Sequence, residues 1–110
     1  MKLPNADQAQ ISRNKILNYL LSIKHPVGKT KAKFFRKAGF SGTNVNLLEK
    51  ELLNLAKNAS VTAVRETKYG TNYGINGSIK APTGVKINVT TVWFIESEGE
   101  NPTFVTAYPM

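Results

Sequence analysis

The stretch that decides the fold is Val85-Lys86-Ile87-Asn88-Val89-Thr90-Thr91-Val92-Trp93-Phe94-Ile95-Glu96. Val85, Ile87, Val89, Thr91, Trp93 and Ile95 recur at every second position, the period of a strand with one buried face. Working outward, the same period runs through residues 61–68 and 72–79, which read as strands joined at Tyr69-Gly70-Thr71. Pro82-Thr83-Gly84 makes the turn into the long strand. A last strand, 103–108, follows an acidic loop containing Gly99 and Pro102. If that final hairpin closes with Glu96 opposite Thr103, Trp93 faces Thr106 and Thr91 faces Tyr108. One sheet face then carries all four side chains, and a slip of one residue separates them.

Before Asn58 the period is helical. Ser12 is suited to cap a helix over residues 12–22 that turns Ile16, Leu17, Leu20 and Leu21 to one side. A second helix is expected over 29–38, closed by Gly39. A third runs over 46–58, opened by an Asn46 to Glu49 capping-box spacing, with Leu48, Leu52, Leu55 and Ala56 inward. Residues 1–11 lack periodicity and are expected to lie extended against the body. Three helices followed by four hairpin-linked strands define an α+β fold with an antiparallel sheet, and the 110 residues make one domain, 1–110.

Charge is segregated along this order. Residues 1–40 hold nine basic groups against Asp7 alone, whereas 41–110 balance six against six, so the whole net charge of +8 belongs to the amino-terminal part. Such a local field suits RNA, DNA or an acidic protein partner. No apolar run approaches a membrane span and Met1 to Pro4 is no signal peptide, so no membrane role is expected. Cysteine is absent, which removes disulfides and thiolate chemistry and is compatible with a cytoplasmic location.

The only histidine lies where the basic residues are densest, in His25-Pro26-Val27-Gly28-Lys29-Thr30-Lys31-Ala32-Lys33-Phe34-Phe35-Arg36-Lys37. On a helix, Lys29, Lys33, Arg36 and Lys37 share one face. Lys31 falls among Phe34, Phe35 and Ala38 on the other, where a charge is costly unless a partner or a function compensates it.

Several chemistries are excluded. One aspartate and scattered glutamates cannot converge on Mg²⁺, so no metal and no cofactor is expected. Gly28-Lys29-Thr30 imitates the end of a phosphate-binding loop, but Ile23 stands where that motif needs glycine. No glycine-flanked serine offers a nucleophile elbow.

What remains is metal-free cleavage of RNA. A base helps the 2′-hydroxyl attack phosphorus while cations and hydroxyls hold the charged phosphorane, leaving a 2′,3′-cyclic phosphate. His25 would work with Tyr108, Lys31 or Arg65, and Lys29, Lys33, Arg36, Lys37 and Arg65 would bind the strand. The plainer alternatives are that His25 lines the loop before Pro26, that Trp93 is core and that Thr91 and Thr106 are strand formers.

One resemblance extends this reading. Leu17-x-Tyr19-Leu20-Leu21, His25-Pro26-Val27-Gly28-x-x-Lys31-Ala32-x-Phe34-Phe35, Gly39-Phe40, Tyr69-Gly70-Thr71, Val89-x-Thr91-Val92-Trp93 and Phe104-Val105-Thr106-Ala107-Tyr108-Pro109 resemble a family of small bacterial domains frequent in cyanobacteria. That family is similar to the toxin ribonuclease superfold shared by barnase, EndoU, colicin tRNases and RelE. The resemblance implies helices before an antiparallel sheet and active residues at His25, Lys31, Thr91, Thr106 and Tyr108; the hairpin register expected above adds Trp93 nearby. It also implies a toxin whose acidic antitoxin or immunity protein covers the basic helix. The alternative is a noncatalytic RNA-binding or protein-interaction module of the same fold.

Overall fold

The computed structural model describes residues 1–17 and 29–110, with the side chains of Lys15, Lys29, Thr30 and Lys31 left out. Four strands, β1 (Ala63–Thr67), β2 (Gly70–Lys80), β3 (Lys86–Glu96) and β4 (Thr103–Pro109), form one antiparallel sheet in sequence order. Both β2 and β3 run for eleven residues. At the β1–β2 turn Gly70 adopts φ 153° and sits against the Ile95 carbonyl, where a side chain has no room.

The helices cover one face. Helix α3 (Val45–Asn58) packs on β2 and buries Val45, Leu48, Leu52, Leu55 and Ala56 in a core shared with Ile75, Ile79, Val89, Trp93, Phe104 and Ala107. Gly77 leaves the gap that Leu55 occupies. Helix α2 (Lys29–Lys37) packs against β4 through the buried Ala32 and Phe35, each large side chain of this kind contributing roughly 1.5–3 kcal/mol. Phe35 meets Phe34 and Phe40 edge to face, with centroids 5.1 and 6.3 Å away.

Gly39 ends α2 at φ 106°. Its N–H donates to the Arg36 carbonyl and that of Phe40 to the Phe35 carbonyl, a Schellman closure. The amino-terminal segment lies against the body as expected. Leu3 is buried, the Val61 N–H donates to the Met1 carbonyl at 2.7 Å, and Gln10 bridges in parallel to Thr103 at the outer edge of β4.

Three expectations are corrected. Among the described residues only two helices exceed one turn. A 3-10 turn (Ala6–Gln8) and a short segment α1 (Arg13–Lys15) precede them, and positions 18–22 of the expected first helix lie outside the described residues. Helix α3 starts at Val45 rather than 46, and its capping box does not form. The Asn44 side chain instead closes the preceding loop, accepting from the Ser41 N–H (2.8 Å) and donating to the Gly39 carbonyl (3.0 Å), while Glu49 pairs with Arg13 at 3.1 Å.

The third correction is the last hairpin. Pairing begins at Phe94 with Thr103, not Glu96 with Thr103, so Ile95 and Glu96 pair with β2 alone, opposite Thr71 and Gly70. A bulge then sets Val92 opposite Thr106 and Trp93 opposite Phe104, leaving Val105 as the extra residue. Thr91 therefore faces Ala107, and Tyr108 faces Thr90.

Candidate functional site

The shift in register divides the expected site between the two faces of the sheet. Thr91 and Trp93 fall on the helix-covered face and are fully buried. The Trp93 Nε1–H donates to Thr91 Oγ1 at 2.9 Å, and that hydroxyl donates to the Ile75 carbonyl at 3.1 Å. Both side chains are thus spent on one another and on the backbone of β2. The resulting internal hydrogen-bond chain ties β3 to β2, on the face of the sheet opposite Arg65 and Tyr108.

Thr106 and Tyr108 fall on the other face, which none of the described helices covers. Side chains of directly paired residues lie on the same side of a sheet, so the pairings order this open face into three rows crossing the strands. One row is Arg65, Asn72, Phe94 and Thr103. The next is Ala63, Gly74, Val92 and Thr106. The third is Asn76, Thr90 and Tyr108. Arg65, Asn72, Asn76, Thr90 and Tyr108 line one open cleft of about 460 Å³, floored by Ala63, Gly74 and Val92.

Polarity rather than burial characterises this face. Every residue of β1 is exposed and Tyr108 is 38% exposed. The Thr90 hydroxyl donates to Asn76 Oδ1 at 2.8 Å, which holds the Asn76 amide with its NH₂ group as the remaining donor. The cleft thus offers a guanidinium, two amides and a phenol, groups that bind phosphates and base edges.

The expected residues distribute as follows. Arg65 and Tyr108 line the cleft, and Thr106 shares their face. Lys33, Arg36 and Lys37 are exposed on α2, which stands against β4. Lys29 and Lys31 belong to α2 by backbone, but their side chains, like all of His25, lie outside the described residues. Asn72, Asn76 and Thr90 are lining residues that the sequence reading missed. The signal for the first two was present as Asn72-x-Gly74-x-Asn76, a polar alternation marking the uncovered face of β2. Among the described residues no group of three or more histidine, aspartate or glutamate side chains is arranged to hold a metal, and no helix is long and apolar enough to cross a membrane.

A meander sheet that the described helices cover on one face only is the architecture to which the known proteins can be compared. The chain belongs to the family described as a domain of unknown function (DUF6883), which matches residues 2–110. Its fold is similar to that of a chain in a contact-dependent growth inhibition toxin–immunity protein complex from Klebsiella pneumoniae 342. The two share 13% identity and a TM-score of 0.72, over 94% of this chain and 95% of the other. Among curated proteins nothing matches the chain.

Proposed function

We propose that this domain is a metal-independent endoribonuclease of the toxin kind, held in check by an acidic immunity protein or antitoxin. The observation that carries the reading is the cleft on the sheet face that none of the described helices covers, where Arg65 and Tyr108 lie beside a strand that the cationic helix α2 packs against. The likeness to a chain in a toxin–immunity complex supports the toxin part. That complex has a toxin and an immunity protein, and the net charge of +8, suited to a polyanion, favours likening this chain to the toxin.

In the proposed reaction His25 acts as general base or acid in 2′-hydroxyl attack on the adjacent phosphorus. Lys31 and Tyr108 stabilise the phosphorane and assist the leaving oxygen, with Thr106 beside them. Lys29, Lys33, Arg36, Lys37 and Arg65 hold the strand by its phosphates. Nothing in this scheme needs a cofactor, and its place of action is the cytoplasm of the cell that receives or makes the toxin. Induced expression tests it. Wild-type protein should arrest growth and degrade cellular RNA, and His25→Ala should do neither. Normal growth with intact RNA on wild-type expression would favour the noncatalytic module.

A further inference from the structure

The middle row of the open face has a property that the ribonuclease reading does not require. Ala63, Gly74, Val92 and Thr106 are all small, and Gly74 has no side chain at all. The rows on either side carry longer groups, Arg65, Asn72 and Phe94 on one and Asn76 and Tyr108 on the other. The result is a trough that crosses the strands. With neighbouring strands about 4.8 Å apart it is roughly 14 Å long, and its walls stand roughly 13 Å apart at the backbone, four residues along a strand.

The walls and floor differ in chemistry. The floor is apolar, from Ala63 and Val92, and flat at Gly74, where an added Cβ would lie 3.3 Å from that of Ala63. The walls carry amides. Asn76 is fixed through its oxygen by Thr90, so its NH₂ group is held ready to donate, and the Asn72 amide offers both a donor and an acceptor. An aromatic ring, Tyr108, stands at one end and a cation, Arg65, at the diagonal corner.

A flat apolar floor between hydrogen-bonding walls matches an unpaired nucleobase, whose faces are apolar and whose edge carries adjacent donors and acceptors. Arg65, beyond the floor, is placed for a neighbouring phosphate rather than for the same base. We infer that the trough over Gly74 is a nucleobase slot, in which one base of a single RNA strand lies on Gly74 and Val92 and is read by Asn72 and Asn76. This inference rests on the ribonuclease reading for the identity of the strand, but not for the slot itself.

The test is a titration of ¹⁵N-labelled protein with each of the four nucleoside 5′-monophosphates and with six-residue RNA homopolymers. At least one base should shift the amide signals of Gly74, Asn76, Thr90 and Val92. The matching RNA should move the same signals and bind at least ten-fold tighter than the mononucleotide, through its additional phosphates. Gly74→Val should weaken both interactions ten-fold or more by filling the floor, and Asn76→Ala should weaken them several-fold; the free spectra report that each variant is folded. Shifts confined to α2, or Gly74→Val binding as wild type does, would overturn the slot. A mononucleotide binding as tightly as the RNA would overturn the assignment to a strand. Cleavage is scored separately. RNA cut without slot shifts leaves the ribonuclease reading standing and removes the slot, while slot shifts with uncut RNA do the reverse.

Discussion

Replacing Thr91 by valine tests whether this residue serves the core or the substrate. Valine is nearly isosteric, so no cavity opens, but two hydrogen bonds are lost at a fully buried position. The Trp93 indole N–H is left unsatisfied, at about 1–3 kcal/mol, and the bond to the Ile75 carbonyl removes about 1 kcal/mol more. Burying the new methyl returns about 0.8 kcal/mol. The expected net loss is about 2 kcal/mol, or roughly 8–10 °C in Tm for a domain of this size. Urea unfolding followed by far-UV circular dichroism measures it. In a Trp93→Phe background the indole N–H no longer exists, so the same substitution should be milder by about 1 kcal/mol or more. RNA affinity measured well below the transition should stay within two-fold of wild type, since neither side chain reaches solvent. A Thr91→Val protein as stable as wild type, or a coupling near zero, would refute the internal hydrogen-bond chain; a large loss of affinity in a folded variant would restore Thr91 to the substrate site.

Three further outcomes follow from the same structure. Gly70→Ala should destabilise by about 3 kcal/mol, because a side chain at φ 153° meets the Ile95 carbonyl as well as Phe94, whose Cζ would lie 2.6 Å away; a calorimetric loss below about 1 kcal/mol would show that the turn relaxes. Arg13→Ala removes a pair whose arginine is 59% exposed and should change stability by less than about 1 kcal/mol, checked by the same urea experiment. Lys33→Ala should weaken binding to single-stranded RNA without regard to sequence and lower the slope of log affinity against log salt by about 0.7, and fluorescence anisotropy over a salt series would expose an unchanged slope.

Hydrophobic period made the sheet legible. The alternation in 85–96 and the turns at Tyr69-Gly70-Thr71 and Pro82-Thr83-Gly84 place three strands to within two residues, because a half-buried strand writes its period directly into the chain. The β3–β4 register was not legible. It depends on where β4 joins the other edge of β3, at Phe94, and on the bulge at Val105, and neither leaves a mark in the order of side chains. That single slip moved Thr106 and Tyr108 to the open face and left Thr91 and Trp93 in the core. The capping box failed because the helix begins one residue earlier, at Val45 with Asn44 before it, so Asn46 is already helical, and Glu49 meets Arg13, distant in sequence. Arg65 and Tyr108 were legible as isolated functional groups. The alternation Asn72-x-Gly74-x-Asn76 marked a polar face of β2, but that these two and Thr90 line a cleft was not legible, because asparagine and threonine on such a face look like ordinary solvated residues until the pairing shows that they surround Gly74.

The most direct test of the central claim is the chemistry of the cut. Purified protein should be incubated in EDTA with a short RNA labelled at its 5′ end, beside the same RNA carrying a 2′-deoxy sugar at the scissile nucleotide. The account predicts cleavage of the first to a 2′,3′-cyclic phosphate or its 3′-phosphate, no cleavage of the second, and a loss of at least ~10²-fold in rate for His25→Ala. Cleavage that requires added Mg²⁺, a 2′-deoxy substrate cut as fast as RNA, or His25→Ala working at the wild-type rate would contradict it.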